Sequence, residues 1–345
     1  MTHAPAPRLS VLDVAPVWTG ATGVDALQHA VDLAQHVERL GFLRYWVAEH
    51  HNTPSLATSA PAVLAGQLAA VTSTLRVGSG GVLLPNHAPL AVAEQFGTLE
   101  ALHPGRIDLG IGRAGGSDPK TAQALRQSPG HDFPDQLQEL LGYLGTDAST
   151  ASSRTTVALP APPGSPWVCL LGSSLSSAES AGRLGLPYAF AHHLMPQLTP
   201  SAVAAYRAAF RPSAALERPY VIVAAMVIVG ESDEHAEELA RPYLLRKIRI
   251  QHGDLYGLYP AAAEAAAHTF TTAERAFAVE HSAAQLFGGP ETLRGKLTTL
   301  YTQTEADELM GITLVPDHAD RIRSYELLSK VSGELGNGAR ATPRP

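Results

Sequence analysis

The sequence predicts an α/β chain folded as one closed (β/α)8 TIM barrel. Three observations carry that prediction. Short apolar runs alternate with segments of helical periodicity along most of the 345 residues. Eight such runs can be counted. Glycine-rich, polar or histidine-bearing pieces recur directly after them. Alternation with no break in composition favours a closed barrel over an open doubly wound sheet, and the C-terminal ends of barrel strands are where sites are built.

In chain order, residues 1–7 read as a loose tail and 9–13 as the first strand, followed by a loop holding Pro16, Trp18 and Gly20. Val24, Leu27, Val31, Val37 and Leu40 recur at helical spacing, and Gly41 ends that helix. Residues 45–48 are the second strand and run into Glu49-His50-His51. Thr58-Ser59 caps the next helix, with Pro61 in its first turn. Residues 75–79 are the third strand, 88–102 a helix, 106–111 the fourth strand and 135–144 a helix. Residues 146–166, rich in Ser, Thr, Ala and Pro, form an irregular connection. Strands at 167–171, 187–191 and 220–229 are followed by helices at 174–184, 199–210 and 233–250. Residues 253–285 break the rhythm with Gly253, Gly257, Pro260 and an Ala-rich segment, and read as an inserted lid. A helix at 290–301, the eighth strand at 308–314 and a helix at 320–331 complete a single domain over 1–345. The Gly/Pro/Arg-rich tail at 333–345 reads as disordered.

Composition narrows the function. The formal net charge is −7 with no basic block, which argues against nucleic acid or an anionic membrane as partner. The single cysteine, Cys169, lies in an apolar strand and reads as a buried, inert thiol. No run reaches transmembrane length and the start lacks the pattern of a signal peptide, so a cytoplasmic enzyme is expected.

The strand ends carry the chemistry. Gly110-x-Gly112-x-x-Gly115 matches a dinucleotide fingerprint, but it follows the fourth strand and continues into Ser117-Asp118-Pro119 rather than an apolar helix. Arg113 within it fits a phosphate clamp better, against the plainer reading of a loop whose glycines turn the chain. Gly172-Ser173-Ser174-Leu-Ser176-Ser177 opens a helix, where hydroxyls and free N–H groups bind phosphate or simply cap the helix. With Arg113 on the neighbouring strand, phosphate is the better reading. One phosphate cup without an adenine-side fingerprint suggests a mononucleotide such as FMN. Neighbouring strand residues point to opposite faces, so His50 and His51 cannot both enter the mouth. That disfavours a metal pair, and a hydrogen-bonding or proton-shuttling histidine is expected instead, with no metal site. The Ser79-Gly80-Gly81 run marks either close approach of a backbone or flat ligand, or a bulge.

On Glu49-His50-His51, on residues 77–85, on 104–113 and on Gly172 to Ser177 with Gly185-Leu-Pro187, the sequence resembles the bacterial luciferase-like, flavin-dependent monooxygenase superfamily across nearly its whole length. The resemblance implies a barrel that binds reduced FMN, forms a flavin hydroperoxide with O2, and receives reduced flavin from a separate NAD(P)H-dependent reductase. It implies His50 and His51 as catalytic residues. Glu49, Ser79, Gly80, Gly81, Arg113, Ala114, Ser173, Ser174, Ser177 and His192 would bind cofactor, with a non-prolyl cis peptide at Gly80-Gly81. Where luciferase carries a glutamate and an adjacent serine, this chain has Ser173-Ser174; Gly112 replaces the luciferase cysteine, and His192-His193 stands in a tryptophan region. Light emission is therefore not implied. The nearer resemblance is to monooxygenases of small organic molecules, some of which tailor aromatic polyketides in antibiotic biosynthesis. A homodimer formed through helices near the second and third strands is expected on the same ground. The rivals are a deazaflavin-dependent hydride-transfer enzyme on the same barrel, a metal-dependent hydrolase, and a non-catalytic flavin-binding subunit.

Overall fold

Eight parallel strands hydrogen-bond in a ring around a filled interior. The computed structural model describes residues 7–113, 118–127, 132–145 and 156–338. The strands are β1 (Arg8–Asp13), β2 (Arg44–Val47), β3 (Arg76–Leu83), β4 (Ile107–Gly112), β5 (Trp167–Gly172), β6 (Tyr188–Ala191), β7 (Val221–Val229), β8 (Leu286–Gly288) and β9 (Glu308–Ile312). Strands β1 to β7 pair in sequence, and β9 pairs with both β7 and β1 to close the ring. The (β/α)8 barrel is therefore present. The additional β8 pairs only with the tip of β7, Val227 to Val229.

The helices are α1 (Gly23–Arg39), α2 (Pro61–Val71), α3 (Pro89–Leu102), α4 (Pro119–Ala124), α5 (Phe133–Tyr143), α6 (Leu175–Arg183), α7 (Thr199–Ala209), α8 (Asp233–Gln251), α9 (Ala262–Ala267), α10 (Thr272–Ala283), α11 (Pro290–Thr304) and α12 (His318–Gly338). α1 starts where Thr22 and Asp25 form a reciprocal capping box, and it buries Leu33, Ala34 and Val37 in the main core and Ala26 and Ala30 against Ala15 and Val17 of the loop after β1. Every residue of β7 is buried, as expected for a β-branched run covered on both faces. No described helix is long and apolar enough to cross a membrane.

Several local expectations differ. α2 begins after Ala60 with no side-chain cap, because the Thr58 hydroxyl instead donates to the Val14 carbonyl at 3.3 Å. α4 is present because Asp118 accepts from the Lys120 and Thr121 amides. The segment 253–285 contains two helices, α9 and α10. α12 continues to Gly338, with Leu335 packed on the core, so residues 333–338 of the expected disordered tail are helical. Residues 339–345 and 146–155 lie outside the described residues.

β3 runs further than expected, through Gly80-Gly81, whose peptide bond is cis. The glycines are explained by the neighbouring backbone. A Cβ on Gly81 would lie 2.7 Å from the Gly110 carbonyl oxygen, and Cβ atoms on Gly78 and Gly110 would overlap the carbonyls of Asp108 and Ser79. The pairing of β3 with β4 also shifts register between Ser79 and Val82. Both the close approach and the bulge are present.

At the N-terminal end of the barrel, buried Arg44 donates to Asp108 at 2.8 Å and to Glu308 at 3.1 Å. Asp108 also accepts from Arg76 at 2.6 Å and from the Trp46 indole at 2.9 Å. The Arg44 guanidinium lies 4.2 Å from the Trp167 ring centroid. Tyr220 donates to Glu308 at 2.8 Å. One charge cluster thus ties β2, β3, β4, β5 and β9 and the start of β7 into a plug below the mouth.

Gly110→Ala is expected to destabilise the fold by about 3 kcal/mol in urea unfolding, since backbone rather than a movable side chain blocks the new methyl. Gly295→Ala, on an open face of α11, is expected to stabilise by about 0.5–1 kcal/mol in the same assay.

Candidate active site at the barrel mouth

The C-terminal end of β2 places Glu49 in the wall between β2 and the turn after β3. Its carboxylate is buried and receives four donors: the Leu83 amide at 3.0 Å, Asn86 at 3.1 Å, and the rings of His51 at 2.8 Å and His87 at 2.9 Å. Burial alone would raise this carboxyl, but the hydrogen bonds from His87, Asn86 and His51 override it and hold it below the ordinary value. Asn86 is itself held by Gln127. Asn52, in the left-handed region at φ 51°, donates to Asp118 at 3.0 Å and ties this loop to the one after β4.

β2 ends at Val47, so both histidines lie in the turn beyond it, and their hydrogen bonds separate them. His51 turns to Glu49, while His50 is half-buried and its buried Nδ1 has no partner. Burial lowers His50 to about 4, with Glu49 opposing the shift, so the ring is neutral at physiological pH. The same happens to His193, lowered by burial to about 4, whose Nδ1 meets the Ala224 carbonyl at 2.9 Å. His50 follows β2 and His193 follows β6, so each supplies a neutral ring at a strand C-terminus. His192 turns the other way: its ring bonds Thr199 at 2.8 Å and the Ala284 carbonyl at 3.1 Å, leaving neither nitrogen free for a cofactor. Ser79 is fully buried and donates to Gly110 O at 2.8 Å, so its hydroxyl is also committed within the wall.

Arg113 follows β4, exposed, and Ser173 follows β5. Ile111 is paired with Leu170, so these two strand ends lie side by side. α6 opens there with a reciprocal capping box between Ser174 and Ser177, and Ser177 also bonds the Tyr188 hydroxyl at 2.9 Å. Gly172 makes room for this, since a Cβ would strike Ser177 Oγ. The serines serve the helix first, and what they leave for a ligand is a braced helix N-terminus beside an exposed guanidinium. Ala114 lies outside the described residues.

Above the mouth, α8 lays Ala240, Tyr243 and Leu244 on the apolar cluster that holds Leu12, Trp46 and Met226. Tyr243 bonds His281 of α10 at 3.0 Å. Tyr259 latches onto the loop after β1, accepting from the Thr19 amide at 2.7 Å and packing on Trp18 at 4.9 Å between ring centroids. The segment 253–285 is therefore tied to α8 and to the loop after β1. A separate cavity of about 630 Å3 lies on the outer wall between α1 and α2, away from the rim.

A barrel that carries neutral histidines at its strand C-termini is an enzyme scaffold. The chain belongs to the luciferase-like monooxygenase family, whose model matches residues 8–308. It is 40% identical over 329 residues to the luciferase-like monooxygenase of Escherichia coli (strain K12), covering 94% of this chain and 97% of that one. It is 33% identical over 329 residues to the N-acetyl-S-alkylcysteine monooxygenase of Bacillus subtilis (strain 168), covering 93% and 97%. The crystal structure of apo-MsnO8 superposes with a TM-score of 0.85 at 40% identity, covering 98% of this chain and all of that one. Two distant structures share the fold alone. One is the oxygenating constituent of 3,6-diketocamphane monooxygenase of Pseudomonas putida in complex with FMN, at 18% identity and TM-score 0.69. The other is a coenzyme F420-dependent tetrahydromethanopterin reductase of Methanopyrus kandleri, at 15% and 0.64.

The unfolded chain protonates His50, His193 and His281 near 6.5, whereas the folded chain resists until about 4. Between those values the unfolded state holds protons that the folded state does not. Stability from these rings is therefore complete above the upper value and is lost as pH falls towards the lower one. Thermal midpoints measured across that window are expected to fall with pH, and His50→Gln is expected to show a shallower slope.

Proposed function

We propose that the protein is the oxygenating component of a two-component, reduced-FMN-dependent monooxygenase acting on a small organic substrate. Family membership supports the reaction class. The observation that carries the cofactor is the orphaned Nδ1 of His50 in the mouth, beside a cup formed by Arg113 and the N-terminus of α6. The residues present fit the group. Arg113 and the free amides of α6 bind the phosphate by charge and dipole. The close β3–β4 wall with Gly80-Gly81 presents a surface without side chains to a flat ring. When bound, reduced FMN supplies the two electrons with which one atom of O2 enters the substrate and the other leaves as water.

The chain's own residues position and enclose. Glu49 fixes the turn that carries His50. Neutral His50 can hold or pass a proton at Nδ1, and His193 gives a second neutral ring at the end of β6. α8 and α10 cover the mouth and keep water from the reacting atoms. A separate NAD(P)H-dependent reductase supplies the reduced flavin. The groove between α1 and α2, with Val24 and Val63 exposed along it, suits the helix-to-helix homodimer that the sequence leads us to expect. A cytoplasmic location accords with the absence of a membrane-crossing helix among the described residues. The second reading is deazaflavin-dependent hydride transfer, since a coenzyme F420-dependent reductase shares the barrel.

Anaerobic titration separates the two. Reduced FMN is expected to bind more tightly than coenzyme F420. Arg113→Ala is expected to weaken FMN roughly tenfold to a hundredfold, the loss of a charge-assisted phosphate contact, while leaving riboflavin unchanged. Tighter binding of F420, with no uptake of reduced FMN, would replace oxygenation with hydride transfer.

A further inference from the structure

The chain between β7 and α11 encloses a cavity of its own. It holds about 460 Å3 and lies between α8 and α10, against Phe287 of β8 and the first turns of α11. Ala236, Ala240 and Leu244 line it from α8, and Ala278, Ser282 and Ala283 from α10. On each helix these positions fall three or four residues apart, so each set is one helix face. All of them but Leu244 are small, and two faces that would otherwise interlock leave a hollow. Phe270 and Phe287 add aromatic surface to it. The volume is that of a small-molecule site. His50, His193, Arg113 and Ser174 take no part in its wall.

Three cations stand in this largely apolar wall: Arg241, Arg275 and Lys296. Carbonyl oxygens hold all three. Arg241 donates through Nε to the Ala265 carbonyl at 2.6 Å and through Nη2 to that of His268, with its guanidinium 4.5 Å from the Phe270 ring centroid. Arg275 donates through Nη1 to the Phe270 carbonyl. Lys296 donates to the Ser282 carbonyl at 3.1 Å and the Gln285 carbonyl at 2.8 Å. Among the described residues none of the three is paired with a carboxylate. Carbonyls fix a cation in place without neutralising it. The two carboxylates in the wall are differently placed. Asp233 is taken by the Gly289 amide at 2.6 Å and the Thr292 hydroxyl at 2.8 Å, and Glu237 is exposed. Glu274, beside Arg275 in the chain, is taken by the Thr271 amide at 2.7 Å and lies 3.5 Å from His268.

The two arginines grip the same short stretch, residues 265–270, from different helices. Arg241 keeps Nη1 unused, and Arg275 keeps Nη2 and Nε. Such edges match a planar carboxylate, and an apolar hollow beside them suits the body that carries it. We propose that this cavity is a second ligand site, separate from the mouth, which takes an organic carboxylate with an apolar body. The head would lie on Arg241 and Arg275, and the body between the small-residue faces of α8 and α10. A bound acid would brace two helices that Tyr243 and His281 join by a hydrogen bond at 3.0 Å. The assignment does not depend on which redox cofactor the mouth holds.

The test is isothermal titration of the whole protein with acetate, octanoate, phenylacetate and naphthoate, each beside its primary amide. At least one of the larger acids is expected to bind tenfold or more tightly than its amide. Acetate, with no body to bury, is expected to be the weakest acid. Arg275→Gln, at an exposed position, should cut acid affinity about tenfold and leave the amides within twofold. Val279→Trp, on the exposed rim of the cavity, should weaken acid and amide alike. Thermal midpoints of both variants are compared with the parent, so that a loss of fold is not read as a loss of the site. The assignment falls if no acid outbinds its amide, or if the preference survives in Arg275→Gln. It falls equally if Val279→Trp leaves binding unchanged. Titration in the presence of reduced FMN separates the two sites. Acid affinity that stays within twofold supports a second site, whereas displacement by the flavin puts the acid in the mouth and overturns it.

Discussion

The charge of Arg44 is buried at the base of the barrel and can be satisfied only by carboxylates from two other strands. Such a cluster contributes little net stability, because desolvation offsets attraction. What it supplies is specificity of arrangement. Asp108 can receive Arg44, Arg76 and the Trp46 indole together only when β2, β3 and β4 stand in one register. Glu308 adds β9, and through Tyr220 the entrance to β7. Since a slip of one residue reverses the face of every side chain on a strand, this plug decides which residues look into the mouth at the opposite end.

The rim inherits its geometry from that register. β3 and β4 approach so closely that only glycine fits at positions 78, 81 and 110, and Ser79 spends its hydroxyl on the gap. The turn after β3 can then reach back to Glu49 with Asn86, His87 and the Leu83 amide. Glu49 is thus a post to which two strand ends are tied, and His50 is the ring that this post aims. The phosphate side is built by the same economy of local parts: a capping box seats the start of α6, and a glycine before it lets Ser177 tuck beneath β5.

What could be read from the sequence follows the range of each interaction. Strand ends, Glu49-His50-His51, the glycines of β3 and the serine cap of α6 are local patterns, legible without the fold. Strand alternation predicted that His50 and His51 part, but β2 ends at Val47, and it is the bond from His51 to Glu49 that turns that ring to the wall. Asn86 and His87 escaped notice because they meet Glu49 across 37 and 38 residues. His193 was noticed only as the companion of His192, and nothing local says which of two adjacent rings turns inward; the wall hydrogen bonds of His192 decide it. Thr58-Ser59 looked like a helix cap until the Val14 carbonyl competed for the hydroxyl. β8 has only three residues and a partner far along the chain, so no periodicity could reveal it.

The pairing of β8 with the tip of β7 has a wider meaning. Val229 and Gly288 are register partners, so the chain leaves the barrel for its excursion through α8, α9 and α10 and returns to the same spot. A segment whose two ends are already adjacent can be lengthened, shortened or rewritten at little entropic cost to the body that holds it. Floor and excursion are in this sense separate parts. The floor is locked by the buried charges and glycines of the ring, and the excursion is joined to it at one strand tip, packed on it through α8 and latched by Tyr259. A lineage built this way can change what it admits by redecorating the excursion, and leave the machinery beneath untouched.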